Sequence, residues 1–167
     1  MDPVWARVVA KSLADAVNAV GLSIPGIEFV EHKAVAVTHR GDLLRFVRLG
    51  KLVEWAEPQP DTLVPLQARL VNNGGGSDLF DDNEIPVVLV GTSYSANPLW
   101  SFESALKLEI GADVMNVADE GLGPIEPMAG YLQSDTFVGS QPKLVIWEIP
   151  ERFMAKPYPE EVFKLSF

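Results

Sequence analysis

The chain has 167 residues, with 13 Lys or Arg against 23 Asp or Glu, for a net charge of −10. A chain of this length makes one ordinary domain that buries roughly 70% of its unfolded surface, and its acidity argues against a partner that is nucleic acid, because phosphate contacts need clustered Lys and Arg. There is no cysteine, so disulfides and thiolate chemistry are excluded, and two histidines, His32 and His39, argue against a metal centre.

The N-terminal MDPVWARVVAK lacks the basic start, apolar stretch and cleavage site of a signal peptide, and no apolar run is long enough to span a membrane. It reads as a helix start, and so as a cut from something longer. Asp2 suits the N-cap, Pro3 the first helical position and Gly21 the stop. Val4/Trp5, Val8/Val9, Leu13, Val17 and Val20 recur near a 3.6-residue period and are expected to face inward. Ile27 to Val30 and Ala34 to Val37 read as short strands on either side of the polar Glu31-His32-Lys33. Gly41 to Phe46 reads as a helical turn. Residues 54–66 carry Pro58, Pro60 and Pro65 and are expected to be irregular. Residues 72–84, with Gly74-Gly75-Gly76 and four carboxylates, read as a flexible acidic loop within the domain.

The texture changes at Ile85. Val87 to Val90 is an unbroken apolar run, as in a strand buried on both faces. A loop, Gly91 to Ser95, leads to a helix opened by Asn97 and Pro98, with Leu99, Phe102, Leu106 and Ile110 inward and Gly111 as its stop. Val114 to Ala118 reads as a second strand, followed by a glycine-rich loop and a short helix ending near Gln133. Leu144 to Trp147 reads as a third strand. This order predicts a parallel sheet with right-handed crossovers.

Ligands of open α/β sheets bind beyond the carboxyl ends of the strands. Three loops leave those ends: 91–95, 119–123 and 148–152. Ser93 follows a buried strand at a helix entrance, where backbone N–H groups lack partners and can meet a developing oxyanion. That makes Ser93 a candidate nucleophile with Ser95 as the minor one; turn and capping roles account for the same pattern. Gly91 is read as the residue that permits the tight turn. Gly121 is placed to lend an N–H, or to serve an ordinary turn. Tyr94 and Arg152 are candidate substrate contacts, although Arg152 pairing with Glu148 or Glu151 as scaffold is the plainer reading. Arg40, Arg45, Arg48 and Lys51 stand against Asp42 alone, either a docking surface for a polyanion or a solvated face.

The blocks VVLVGTSYSANPLWSFESAL, ADVMNVADEGLGPIEPMAGYL and PKLVIWEIPERF, preceded by HRGDLLRFVRLG, resemble the C-terminal part of the alginate O-acetyltransferase family, SGNH-hydrolase-like proteins of the periplasm. The resemblance implies a flavodoxin-like α/β three-layer sandwich with a mainly parallel sheet, truncated and permuted, over residues 1–167. It implies that Ser93 carries an acetyl group as an ester and passes it to a mannuronate hydroxyl. It further implies no cofactor or metal, alginate or a related acidic polysaccharide as partner, and an acetyl donor delivered by a membrane O-acyltransferase. Other exopolysaccharide biosynthesis proteins are implied as partners too. The implied location is periplasmic, with any inner-membrane association made through a region absent from this chain. The family's Asp-x-His-Trp motif precedes the serine. Here neither His32 nor His39 has an Asp two or three residues before it, so the cut is expected just downstream of that pair, leaving an inactive fragment. A non-catalytic polysaccharide- or partner-binding module and a carbohydrate acetyl esterase are the alternatives.

Overall fold

A computed structural model of the chain describes residues 3–41, 50, 53–56, 59–71, 85–140, 142–155 and 157–158. Asp2, the turn expected after Gly41, Arg45, Arg48, Lys51 and the acidic segment 72–84 lie outside them. Helix α1 covers Pro3–Ala19. It ends where the Gly21 N–H donates to the Asn18 carbonyl and the Leu22 N–H to the Val17 carbonyl, with Gly21 at φ 70°. That is the paired closure which a left-handed glycine makes at a helix end. The face it buries is not the expected one. Ala6, Ala10 and Ala14 are inside, four residues apart, whereas Val4 is 70% and Trp5 66% exposed. Leu13 only flanks the core. The alanines let α1 lie close against Phe102, Ala105 and Leu106; a row of valines there would hold the two backbones apart.

Strand β1 is Phe29–Lys33 and β2 is Val37–His39; a short helix α2, Val53–Ala56, precedes β3, Asp61–Leu63, and β4, Leu66–Leu70. They form two antiparallel ribbons, β1 with β4 (Phe29 opposite Leu70) and β2 with β3 (His39 opposite Asp61). The strand boundaries read from sequence are therefore corrected. Glu31-His32-Lys33 lies inside β1, and the proline-rich segment contains β3 and runs into the start of β4, with Pro65 in the gap between them. A ribbon exposed along most of its length, as β1 is, carries no apolar alternation for a sequence reading to find.

Strand β5, Val87–Val90, is completely buried. It pairs in parallel with β6, Val114–Asn116, on one side and β7, Leu144–Trp147, on the other, giving the order β6-β5-β7. This bears out the predicted parallel sheet. Alternate side chains of β5 enter two cores. Val87 and Leu89 join Ala6, Ala10 and Leu106. Val88 and Val90 join Tyr131, Met128 and Phe137. Helices thus cover both faces, the three-layer arrangement.

Between β5 and β6 the structure corrects the sequence reading twice. The expected loop 91–95 already turns into a short helix, α3 (Ser93–Ala96), and the single helix expected from Asn97 is divided into a 3₁₀ turn (Pro98–Trp100), α4 (Phe102–Leu106) and a π turn (Lys107–Gly111). The break falls at Ser101, which takes φ 63° and whose Oγ accepts the Leu66 N–H at 2.8 Å. A left-handed non-glycine is costly and persists only where its surroundings fix it. After β6 come α5 (Ile125–Leu132) and α6 (Asp135–Ser140), and after β7 comes α7 (Glu151–Met154).

Candidate active site

The three carboxyl ends of the sheet meet through hydrogen bonds. The Asp119 N–H donates to the Gly91 carbonyl at 3.2 Å, and the Glu148 N–H to the Val90 carbonyl at 2.8 Å. The loop after β5 therefore sits between the loops after β6 and β7. Within it Thr92 caps α3, its Oγ1 accepting the Tyr94 N–H. Ser93 is the first residue of α3 and is half-buried, whereas Ser95 is only 3% exposed.

One oxygen of Glu148 gathers the loop. Oε2 accepts the Thr92 N–H at 2.8 Å, the Thr92 hydroxyl at 2.9 Å and the Ser95 hydroxyl at 3.2 Å. From the other side, Asn116 at the end of β6 donates its amide to the Ser95 carbonyl at 2.8 Å and to Glu103 at 3.2 Å. Asn116 is not singled out from the sequence, and Glu148 is named there only as a pairing option for Arg152. The available signal was their position, a hydrogen-bonding side chain at the carboxyl edge of a strand that flanks the serine loop.

Gly91 is glycine for a different reason than a turn. It is absent from the glycines of positive φ. A Cβ there would instead stand 2.6 Å from Glu148 Oε2 and 2.9 Å from Ser95 Oγ. Close approach, not backbone freedom, is the constraint.

Beside the serine loop lies a cleft of about 480 Å³ lined by Tyr94 and by residues 148–152. Arg152 is exposed at its rim. Its partners among the described residues are aromatic, which corrects the expectation of a pair with Glu148 or Glu151. It donates to the Tyr94 hydroxyl at 3.0 Å and lies over the Tyr94 ring at 5.2 Å and the Phe153 ring at 5.0 Å. A planar guanidinium over two rings gains cation–π attraction without leaving water.

Gly121 is exposed, at φ 87°, two residues past the Asp119–Gly91 bond. Gly123 at φ 74° faces the Phe153 ring, and the Trp147 indole donates to the Pro124 carbonyl at 2.9 Å. The second and third loops are thereby fastened together. His32 lies in β1 and His39 in β2, where its ring meets the Trp100 edge at 5.0 Å; neither lines the cleft. His39 therefore sits in a paired strand. Arg40 is exposed just after β2.

The family model for the SGNH hydrolase-like domain of the acetyltransferase AlgX matches residues 1–151. The chain belongs to this family. Among curated relatives of this SGNH-like chain, the probable alginate O-acetylase AlgJ of Azotobacter vinelandii is 42% identical over 159 residues, 93% of this chain and 41% of the relative. AlgJ of Pseudomonas putida is 43% identical over 155 residues, 91% of this chain and 40% of the relative. The solved O-acetyltransferase domain of Pseudomonas putida AlgJ superimposes with a TM-score of 0.83 at 37% identity, covering 99% of this chain and 57% of that one. Pseudomonas aeruginosa AlgX superimposes with a TM-score of 0.72 at 27% identity, covering 89% and 35%. The chain thus spans about 41% of the length of the first of these relatives. The resemblance read from the three sequence blocks, and the SGNH-like fold it implied, are borne out. Among the described residues no helix is long and apolar enough to cross a membrane.

Proposed function

We propose that this SGNH-like chain is the serine-bearing part of an O-acetyltransferase that modifies alginate. The single observation that carries the reading is the placement of Ser93: half-buried, first in its helix after the central buried strand, with its neighbour Tyr94 lining the cleft. The family and the names of the relatives supply the acetyl group and the polymer. Ser95, buried and donating to Glu148, suits a structural part.

In this reading the Ser93 Oγ attacks the carbonyl carbon of an acetyl ester and its proton passes to a base. The donor's alcohol departs with a proton, leaving acetyl-Ser93. A mannuronate hydroxyl then attacks the same carbonyl, gives up its proton to the base, and regenerates the serine. Backbone N–H groups of the serine loop and of the Gly121 loop meet the negative oxygen of each tetrahedral intermediate. Arg152, with donors free for water at the cleft rim, receives the uronate carboxylate, and Tyr94 backs it. The segment around Arg40, Arg45, Arg48 and Lys51 holds the polymer further along. The reaction takes place in the periplasm, with acetyl supplied by a membrane O-acyltransferase.

A serine hydroxyl needs a base within hydrogen-bond reach. The side chains bonded around the loop, Thr92, Ser95, Asn116 and Glu148, offer no imidazole. The chain alone is expected to show only the residual turnover that remains when a triad member is lost, about 10⁴-fold below a complete site. The test is acetyl transfer to mannuronate oligomers by three proteins: this chain, the chain joined to a preceding Asp-x-His segment, and the joined protein with Ser93→Ala. Negligible, substantial and negligible transfer are expected in that order. Transfer by the chain alone that disappears with His39→Ala makes His39 the base instead. Acetyl released to water with none on the sugar makes the protein an esterase.

A further inference from the structure

We propose that Glu148 is the positioning residue of the serine loop, and that Gly91 exists to let its carboxylate in; the first part rests on Ser93 as nucleophile only for its consequence in turnover. Ser93 stands in a helix of four residues, too short to hold its own geometry in water. What fixes it comes from outside. Glu148 Oε2 takes three donors from the loop, two on the residue before Ser93 and one on the residue two after it. Those contacts bracket Ser93 and bridge 53 to 56 residues of sequence.

The carboxylate is itself held. Its backbone N–H is bonded to the Val90 carbonyl, so it stands on the sheet and not on a free loop. A charged acceptor strengthens each of the three bonds relative to a neutral one. The space it fills is the space that a side chain on Gly91 would need, since a Cβ there falls 2.6 Å from Oε2 and 2.9 Å from Glu148 Cβ. The two residues therefore form one device. Glu148 has no part in bond making; it acts through Thr92 and Ser95 on where the Ser93 hydroxyl points. An error of about 1 Å in such a position costs on the order of 10²-fold in rate.

The test is amide hydrogen exchange on the folded chain, with turnover as a second readout. In Glu148→Ala the Thr92 N–H is expected to exchange at least tenfold faster, while Val117, whose N–H donates to Leu89 within the sheet, keeps its protection. Glu148→Gln, which retains an acceptor oxygen, restores most of the Thr92 protection. Gly91→Ala, whose Cβ would meet Oε2 at 2.6 Å, reproduces the Glu148→Ala pattern at Thr92. Thr92 protection unchanged in Glu148→Ala, or Thr92 and Val117 losing protection together, overturns the proposal. So does Gly91→Ala that leaves Thr92 protection unchanged. Where Ser93→Ala abolishes turnover in the Asp-x-His-joined protein, Glu148→Ala lowers kcat about 10²-fold with KM unchanged, and an unchanged kcat overturns the proposal. Should Ser93→Ala leave turnover intact, the nucleophile reading falls by itself, and exchange at Thr92 still decides whether Glu148 holds the loop.

Discussion

Ser93 and Ser95 are two residues apart on the same short helix and have opposite surroundings. Ser95 is 3% exposed and its hydroxyl is spent on Glu148, while Ser93 is half-buried beside the cleft-lining Tyr94. Replacing Ser95 by Ala removes one of three donors to the carboxylate, a loss of about 1 kcal/mol in stability. Turnover should stay within tenfold of the parent. In the Asp-x-His-joined protein, Ser93→Ala should lower turnover by about 10⁴-fold without moving the denaturation midpoint. Comparing the two variants by rate and by urea unfolding separates the roles. Tyr131 offers a test on the far face of the sheet. It is 4% exposed, and its hydroxyl has no hydrogen-bond partner among the described residues. Burial pushes its ionisation above the usual tyrosine value. Its ring already meets Phe137 at 5.4 Å, which phenylalanine would keep. Tyr131→Phe should therefore raise stability by about 1 kcal/mol, seen as a higher urea midpoint at the same slope.

The element read most directly from sequence was the strand buried on both faces. Val87–Val90 announces itself because every residue must be apolar, and it carries the parallel sheet with it. The ribbons were misread because β1, β2 and β3 are exposed along most of their length and so carry little apolar pattern. The division of the helix after Ser93 was invisible because Ser101 is held left-handed by Leu66, 35 residues away. Helix α1 was found but turned the wrong way, because hydropathy favours valine and tryptophan over alanine while close packing favours alanine. This makes a clear contrast. Ala10→Leu, at a position with no exposure, should cost about 1–3 kcal/mol by overpacking. Trp5→Gln on the exposed stripe should change stability by no more than about 0.5 kcal/mol. A valine-inward helix would give the reverse order, so the unfolding midpoints of the two variants decide which face is inside.

For the molecule as a whole, net charge sets how it can meet an acidic polymer. A chain of net −10 approaches an acidic polymer only through local basic ground, which the proposal assigns to residues 40–51 and to Arg152. Arg45→Ala with Arg48→Ala should weaken alginate binding, most at low salt, where the charges are least screened. Binding that is unchanged across a salt series leaves those arginines as a solvated face. The serine was legible because a hydroxyl after a buried strand is a local pattern. Its support was not, because Glu148 and Asn116 reach it only through the pairing of three strands. The central claim is that Ser93 itself carries the acetyl group. The most direct measurement is peptide mass spectrometry of the Asp-x-His-joined protein, quenched in acid soon after mixing with an acetyl ester. An acetyl group on the peptide at Ser93, lost when mannuronate oligomers are added before the quench, is the predicted result. An acetyl group on Ser95, or steady transfer with Ser93 unmodified and replaceable by Ala, would contradict it.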